Sequence, residues 1–150
     1  MNKFLLFIFF SLVLFFKISY SNEIFVESEE LIITDEPLTT TFIGNVYAFD
    51  EEIKLWSDRV LILYTENNNQ IDQIKSFGNT KLIKENQEII CKNLTYFVTD
   101  RKIHASGNIV LTQDQNVMRG DELNVDLVKS TSIMKSKVNE KVTVKIDNNE

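Results

Sequence analysis

The chain has 150 residues, 43% of them hydrophobic and 25% charged, and a formal net charge of -6. That size and balance fit one globular domain, and a single proline with four glycines excludes a fibrous or low-complexity chain. The excess of 22 Asp and Glu over 16 Lys and Arg excludes the basic footprint on which nucleic-acid binding rests.

Lys3 opens the chain, residues 4–16 form an apolar run broken only by Ser11, and Ser19 and Ser21 place small residues after it. This order predicts a secretory signal peptide over residues 1–21, cleaved after Ser21, which takes Lys3 and Lys17 with it and leaves a mature charge of -8. An uncleaved anchor is the alternative, but the run has 13 residues, and a membrane span needs about 20. Cys91 is the only cysteine, so no intramolecular disulfide can form and the exported domain must stand on its core. With no histidine near it in sequence, Cys91 is expected to be a buried, inert thiol.

Past residue 22 the chain reads as strand after strand. Residues 27–33 form one amphipathic turn, the sole helical candidate. Segments 38–49, 53–65, 71–83, 88–98, 103–112, 117–128 and 138–146 are rich in Val, Ile, Thr, Phe and Tyr. Polar turn clusters separate them, such as Asp50-Glu51-Glu52 and Gln113-Asp114-Gln115-Asn116. The spacing predicts an all-β sandwich, barrel or jelly roll.

Three of the four glycines precede an asparagine: Gly44-Asn45, Gly78-Asn79 and Gly107-Asn108. Asp58 follows the first by 14 residues, Asn93 the second by 15 and Asp121 the third by 14, which predicts stacked hairpin repeats. Glycine inside a strand signals a bulge, a bend or a close approach. Alternation then puts aliphatic side chains on one face of nearly every strand, with Ile53, Leu55, Ser57, Leu61 and Leu63 inward between residues 53 and 64.

The ordered series "FIGNVYAF", "LWSDRVLI", "IKSFGNTKLI", "NLTYFVTDRKIHASGNIVLTQ" and "VMRGDELNVDLVKS", behind a signal peptide, resembles the OstA-like repeat of the periplasmic lipopolysaccharide-transport protein A family across residues 24–146. The resemblance implies an open β-jelly roll, two antiparallel sheets meeting in a V, as one domain over residues 22–146 with a disordered tail at 147–150. It implies a periplasmic bridge component that binds lipopolysaccharide acyl chains and carries the lipid from inner to outer membrane. Its partners would be the inner-membrane transporter complex, the outer-membrane translocon and further copies of itself stacked head to tail. No enzymatic activity and no cofactor are implied, the driving energy coming from an ATPase elsewhere. The residues expected to line the trough are Phe42, Val46, Ile53, Leu55, Leu61, Ile74, Leu82, Leu94, Tyr96, Ile103, Ile109, Leu111, Leu123 and Val125. Acyl burial there yields about 0.8 kcal/mol per CH₂. Two alternatives stay open: a membrane-anchored member of the same export machine, and a structural periplasmic filament whose aliphatic faces pack into a closed core.

The two ends differ in charge. Glu23, Glu27, Glu29, Glu30, Asp35 and Glu36 stand at one end without a base, and Lys129, Lys135, Lys137, Lys141 and Lys145 at the other against Glu140 alone. If these ends are open sheet edges, their charges favour head-to-tail over head-to-head contact. Other chemistry is sparse. His104 is the lone histidine, so a histidine-rich metal site is excluded, and no serine or cysteine lies beside a base in a nucleophile pattern.

Overall fold

The computed structural model describes residues 23–67 and 69–147; the expected signal peptide and residues 148–150 of the tail lie outside them. Ten strands form: β1 (Phe25–Glu27), β2 (Glu30–Asp35), β3 (Leu38–Phe49), β4 (Ile53–Tyr64), β5 (Ile71–Lys84), β6 (Gln87–Phe97), β7 (Lys102–Gln113), β8 (Asn116–Asp126), β9 (Thr131–Lys135) and β10 (Thr143–Lys145). β3 to β8 make an antiparallel meander in sequence order, with β1 and β2 side by side on the outer edge of β3 and β9 and β10 on that of β8. Over the described residues the chain is therefore all-β, an open sheet with two free edges.

Every pairing from β3 to β8 breaks register in mid-strand: between Ile43 and Val46, Trp56 and Arg59, Phe77 and Thr80, Ile90 and Asn93, and Ser106 and Ile109. The breaks line up across the sheet and form a crease. On β3, β5 and β7 the crease is the Gly-Asn pair, and both of its residues take positive φ: Gly44 and Asn45 at 83 and 46°, Gly78 and Asn79 at 76 and 45°, Gly107 and Asn108 at 85 and 50°. Glycine and asparagine are the residues that tolerate this region best. Each pair faces a single residue on the next strand, Asp58, Lys92 or Asp121, so the repeat has a uniform spacing of 14. Lys92, not the expected Asn93, fills the middle position. The acidic neighbours hold the asparagines: Asp58 accepts a hydrogen bond from Asn79 Nδ2 at 2.9 Å, and Glu29 one from Asn45 Nδ2.

The crease bends the sheet into two walls that pack on each other. One buried cluster joins Ile89 and Cys91 with Leu94, Ala105, Ile109 and Leu123, and another joins Val46 and Leu55 with Val60, so in each cluster side chains from both sides of the bend pack together, and Leu82 packs against both. The two layers of the jelly roll are thus the two halves of one hydrogen-bonded sheet. Bulges free backbone carbonyls, and buried hydroxyls meet them at the bend of β4 and β5. Ser57 Oγ lies 3.1 Å from the Phe77 carbonyl, and Thr80 Oγ1 donates to Ser76 Oγ at 3.1 Å.

Some expected elements moved. Residues 30–35 form edge strand β2 instead of a helical turn, because pairing with β3 over six residues outweighs a single turn's amphipathicity. The strand expected at 138–146 shrinks to Thr143–Lys145, and β9 over Thr131–Lys135 takes the other half of the β8 edge. Cys91 is buried, and that burial pushes its thiol up to about 11. Ellman's reagent at pH 8 is expected to leave the native protein unlabelled and to label it stoichiometrically once urea unfolds it; rapid native labelling would show that the crease opens.

Candidate functional site: an aliphatic trough along the sheet

The inner face is built of rows that run across the strands, because residues paired directly opposite share a face. At the crease lie Val46, Ser57, Thr80, Cys91 and Ile109. On one wall come Ala48, Leu55, Leu82, Ile89, Leu111 and Met118; on the other come Phe42, Val60, Ser76, Leu94, Ala105 and Leu123, then Thr40, Ile62, Ile74, Tyr96, Ile103 and Val125. The rows thread eight consecutive strands, so at about 4.8 Å per strand the inner face extends about 34 Å along the stacking direction.

Burial divides these residues in two. Val46, Leu55, Leu94, Ile109 and Leu123 are buried and form a dry floor. Phe42, Ile53, Ile74, Leu82, Tyr96, Ile103, Leu111 and Val125 are half-buried. Apolar chains can reach only this second set without prising the core apart.

Thirteen of the fourteen residues expected in the trough share the inner face; Leu61 does not. It pairs with Thr41 and Lys75 on the outer face, while Val60 and Ile62 turn inward. The physical reason is the bulge. Two residues face one, so β3, β5 and β7 keep strict alternation through the crease while β4, β6 and β8 lose one step. The same step turns Leu63 outward, opposite Thr39 and Gln73. Counting from the crease outward, and not straight along residues 53–64, would have found Val60 and Ile62.

Both ends of the trough are open. On β2 the inward Leu31 and Ile33 are 53% and 62% exposed, and on β10 the inward Val144 is 54% exposed, because no further strand covers them. The acidic residues Glu27, Glu30 and Asp35 lie on β1 and β2, and Lys135 and Lys145 on β9 and β10. Lys137 is tied within the chain, 3.4 Å from Asp121. Its backbone N–H, donated to that carboxylate, holds Asp121 below the usual carboxylate range. On the outer face Phe25, Phe49, Tyr47 and Trp56 stack in series with centroids 4.9–5.3 Å apart, and Lys81 Nζ stands 5.8 Å from the Trp56 ring centroid. His104 also lies outside, its Nδ1 2.8 Å from Asn124 Oδ1. Among the described residues no group of acids, histidines and cysteines could hold a metal ion.

A family model described as the LptA/(LptD N-terminal domain) LPS transport protein matches residues 25–131. Comparison with curated proteins gives no match. Among solved structures the fold is similar to the crystal structure of LptH, the LptA-homologous periplasmic component of the lipopolysaccharide transport device of Pseudomonas aeruginosa. The TM-score is 0.74 at 14% identity, over 84% of this chain and 96% of that one, a likeness of fold.

Proposed function

The chain belongs to the LptA/LptD N-terminal domain family of lipopolysaccharide-transport proteins, and from that premise we propose that it is a periplasmic bridge component that passes lipopolysaccharide between the membranes. The observation that carries this reading is the trough's axis. Its aliphatic rows run from one free edge to the other, so copies stacked edge to edge would continue the same trough. Acyl chains would lie against the half-buried rows while the sugars stay in water, with no catalysis. The inner-membrane transporter complex and the outer-membrane translocon would dock at the two terminal edges.

Strand polarity supports head-to-tail stacking. β1 and β2 run antiparallel to β3, β9 and β10 antiparallel to β8, and β3 antiparallel to β8, so β2 of one copy meets β9 of the next antiparallel. Keeping the inner rows continuous sets Leu31 beside Met134 and places Glu30 opposite Lys135. An unpaired edge of this length otherwise invites uncontrolled pairing, and matched charges select the partner. Lys135→Glu is expected to weaken self-association several-fold at low salt, and adding Glu30→Lys to the same chain to restore it, as read by sedimentation. Unchanged association in the single variant would remove the charge argument.

The test of function is a photo-crosslinking amino acid at Ile103, a half-buried wall position, in cells making lipopolysaccharide. A lipopolysaccharide adduct is expected; its absence at Ile103 and at Tyr96, with folded and exported protein, would favour a structural filament.

A further inference from the structure

The two walls of the trough end differently, although both end at strand termini. Beyond Tyr96 and Val125 the taller wall finishes in Leu38, Tyr64, Val98 and Leu127, all half-buried and nearly all apolar, with Asp72 of β5 beside Val98 as the one acid among them. The shorter wall has a single aliphatic row and then a polar one. Ile53 pairs with Lys84, Lys84 with Gln87, Gln87 with Gln113, and Gln113 with Asn116. Alternation from Leu82, Ile89, Leu111 and Met118 points these four polar side chains to the inner face. One lip of a mainly aliphatic trough is therefore a row of three amides beside Lys84.

Its chemistry is neutral. Lys84 is the one cation of the row, and its Nζ is 3.4 Å from Glu52 Oε2. Acids stand close by: Asp114, which accepts from Asn86, and Asp147, whose N–H is donated to Asn116 Oδ1 at 3.2 Å. A phosphate would meet this rim unfavourably. Gln87 and Gln113 face each other across one strand pair, and among the described residues neither amide is taken up by a protein partner. A primary amide donates and accepts at once, which matches a sugar hydroxyl that does both.

We propose that the Gln87–Gln113 rim seats uncharged sugar hydroxyls of the amphiphile, so that it lies with its chains against the tall wall and its saccharide over the short one. This rests on the reading of the trough as a lipid channel and deepens it. The rim orients the cargo across the trough and gives a single aliphatic row the job of separating chain from sugar.

The test compares two probes with the same dodecyl chain, dodecyl maltoside and octaethylene glycol monododecyl ether, each titrated below its micelle concentration into the full mature chain. The native protein is expected to prefer the maltoside by several-fold up to about tenfold, the scale of one or two net hydrogen bonds. In Gln87→Leu/Gln113→Leu, checked by its melting curve to be folded, the ratio is expected to fall to about one. Ile103→Asp should weaken both probes and leave their ratio standing. Equal binding of the two probes by the native protein, or a preference that survives in the double variant, would overturn the rim while leaving the trough intact. If neither probe binds, the trough itself is lost and the rim with it.

Discussion

Leu123→Asp is expected to unfold the domain, although Leu123 stands in the middle of the aliphatic face. Its side chain is 1% exposed and packs with Leu94, Ala105 and Ile109 where the two walls meet. Removing the leucine side chain from such a site costs about 2–5 kcal/mol, and burying an unpaired carboxylate in its place adds several more or forces protonation. Against the about 5–15 kcal/mol that a domain of this size commands, the folded state is lost or nearly so. Thermal melting by circular dichroism reads this directly. A cooperative transition near the native midpoint would mean that the walls stand apart at Leu123 and that the trough reaches the crease. Ile103→Asp sits one row higher, half-buried, where a charge can reach water. It should keep most of its stability and lose lipid. The contrast between the two positions separates core from channel on a single wall.

The same contrast shows what was legible in the sequence. The six strands of the meander followed from β-branched runs and turn clusters, because both are local signals, while their order in the sheet came only with the pairing. The Gly-Asn repeat announced itself, but its meaning did not: a bend and a bulge share one glycine signature, and only the pairing register shows three breaks falling on one line. Leu61 was misplaced for that reason, since alternation is reliable only between bulges. β2 and β9 were hidden because strands of six and five residues are too short for a period of two to stand out, and Leu31-Ile32-Ile33 shows no alternation at all. Leu55, Leu94 and Leu123 read the same as Ile74 and Ile103 in sequence. The difference between buried and half-buried comes from how closely the two walls pack over each position, so that within one row Leu55 and Ile89 are buried while Leu82 and Leu111 are half-buried, a contrast no single strand encodes.

The crease itself yields the second large effect. Gly78→Val is expected to cost about 2–4 kcal/mol, more than any exposed substitution in β5. Gly78 has φ of 76°, and an added Cβ would stand 2.3 Å from Asp58 Oδ2. Two costs therefore combine: an L residue at positive φ loses about 1–2 kcal/mol, more when β-branched, and Asp58 must give up its bond to Asn79. Combining Gly78→Ala with Asp58→Ala divides them, because truncating Asp58 removes the collision and leaves the backbone strain. Asn79→Gly keeps the positive φ accessible and loses only an exposed hydrogen bond, so its cost should stay within about 1 kcal/mol. Urea unfolding of the three variants gives the numbers. If Gly78→Val were as benign as Asn79→Gly, the crease would not depend on glycine. Gly120 makes the complementary case on β8. Its φ is unremarkable, but a Cβ there would lie 2.9 Å from the Lys135 carbonyl and 2.6 Å from Met134 Cγ, so Gly120→Ala is expected to loosen β9. β9 carries Lys135, and a bridge built edge on edge would then fail at the junction before the domain itself gave way.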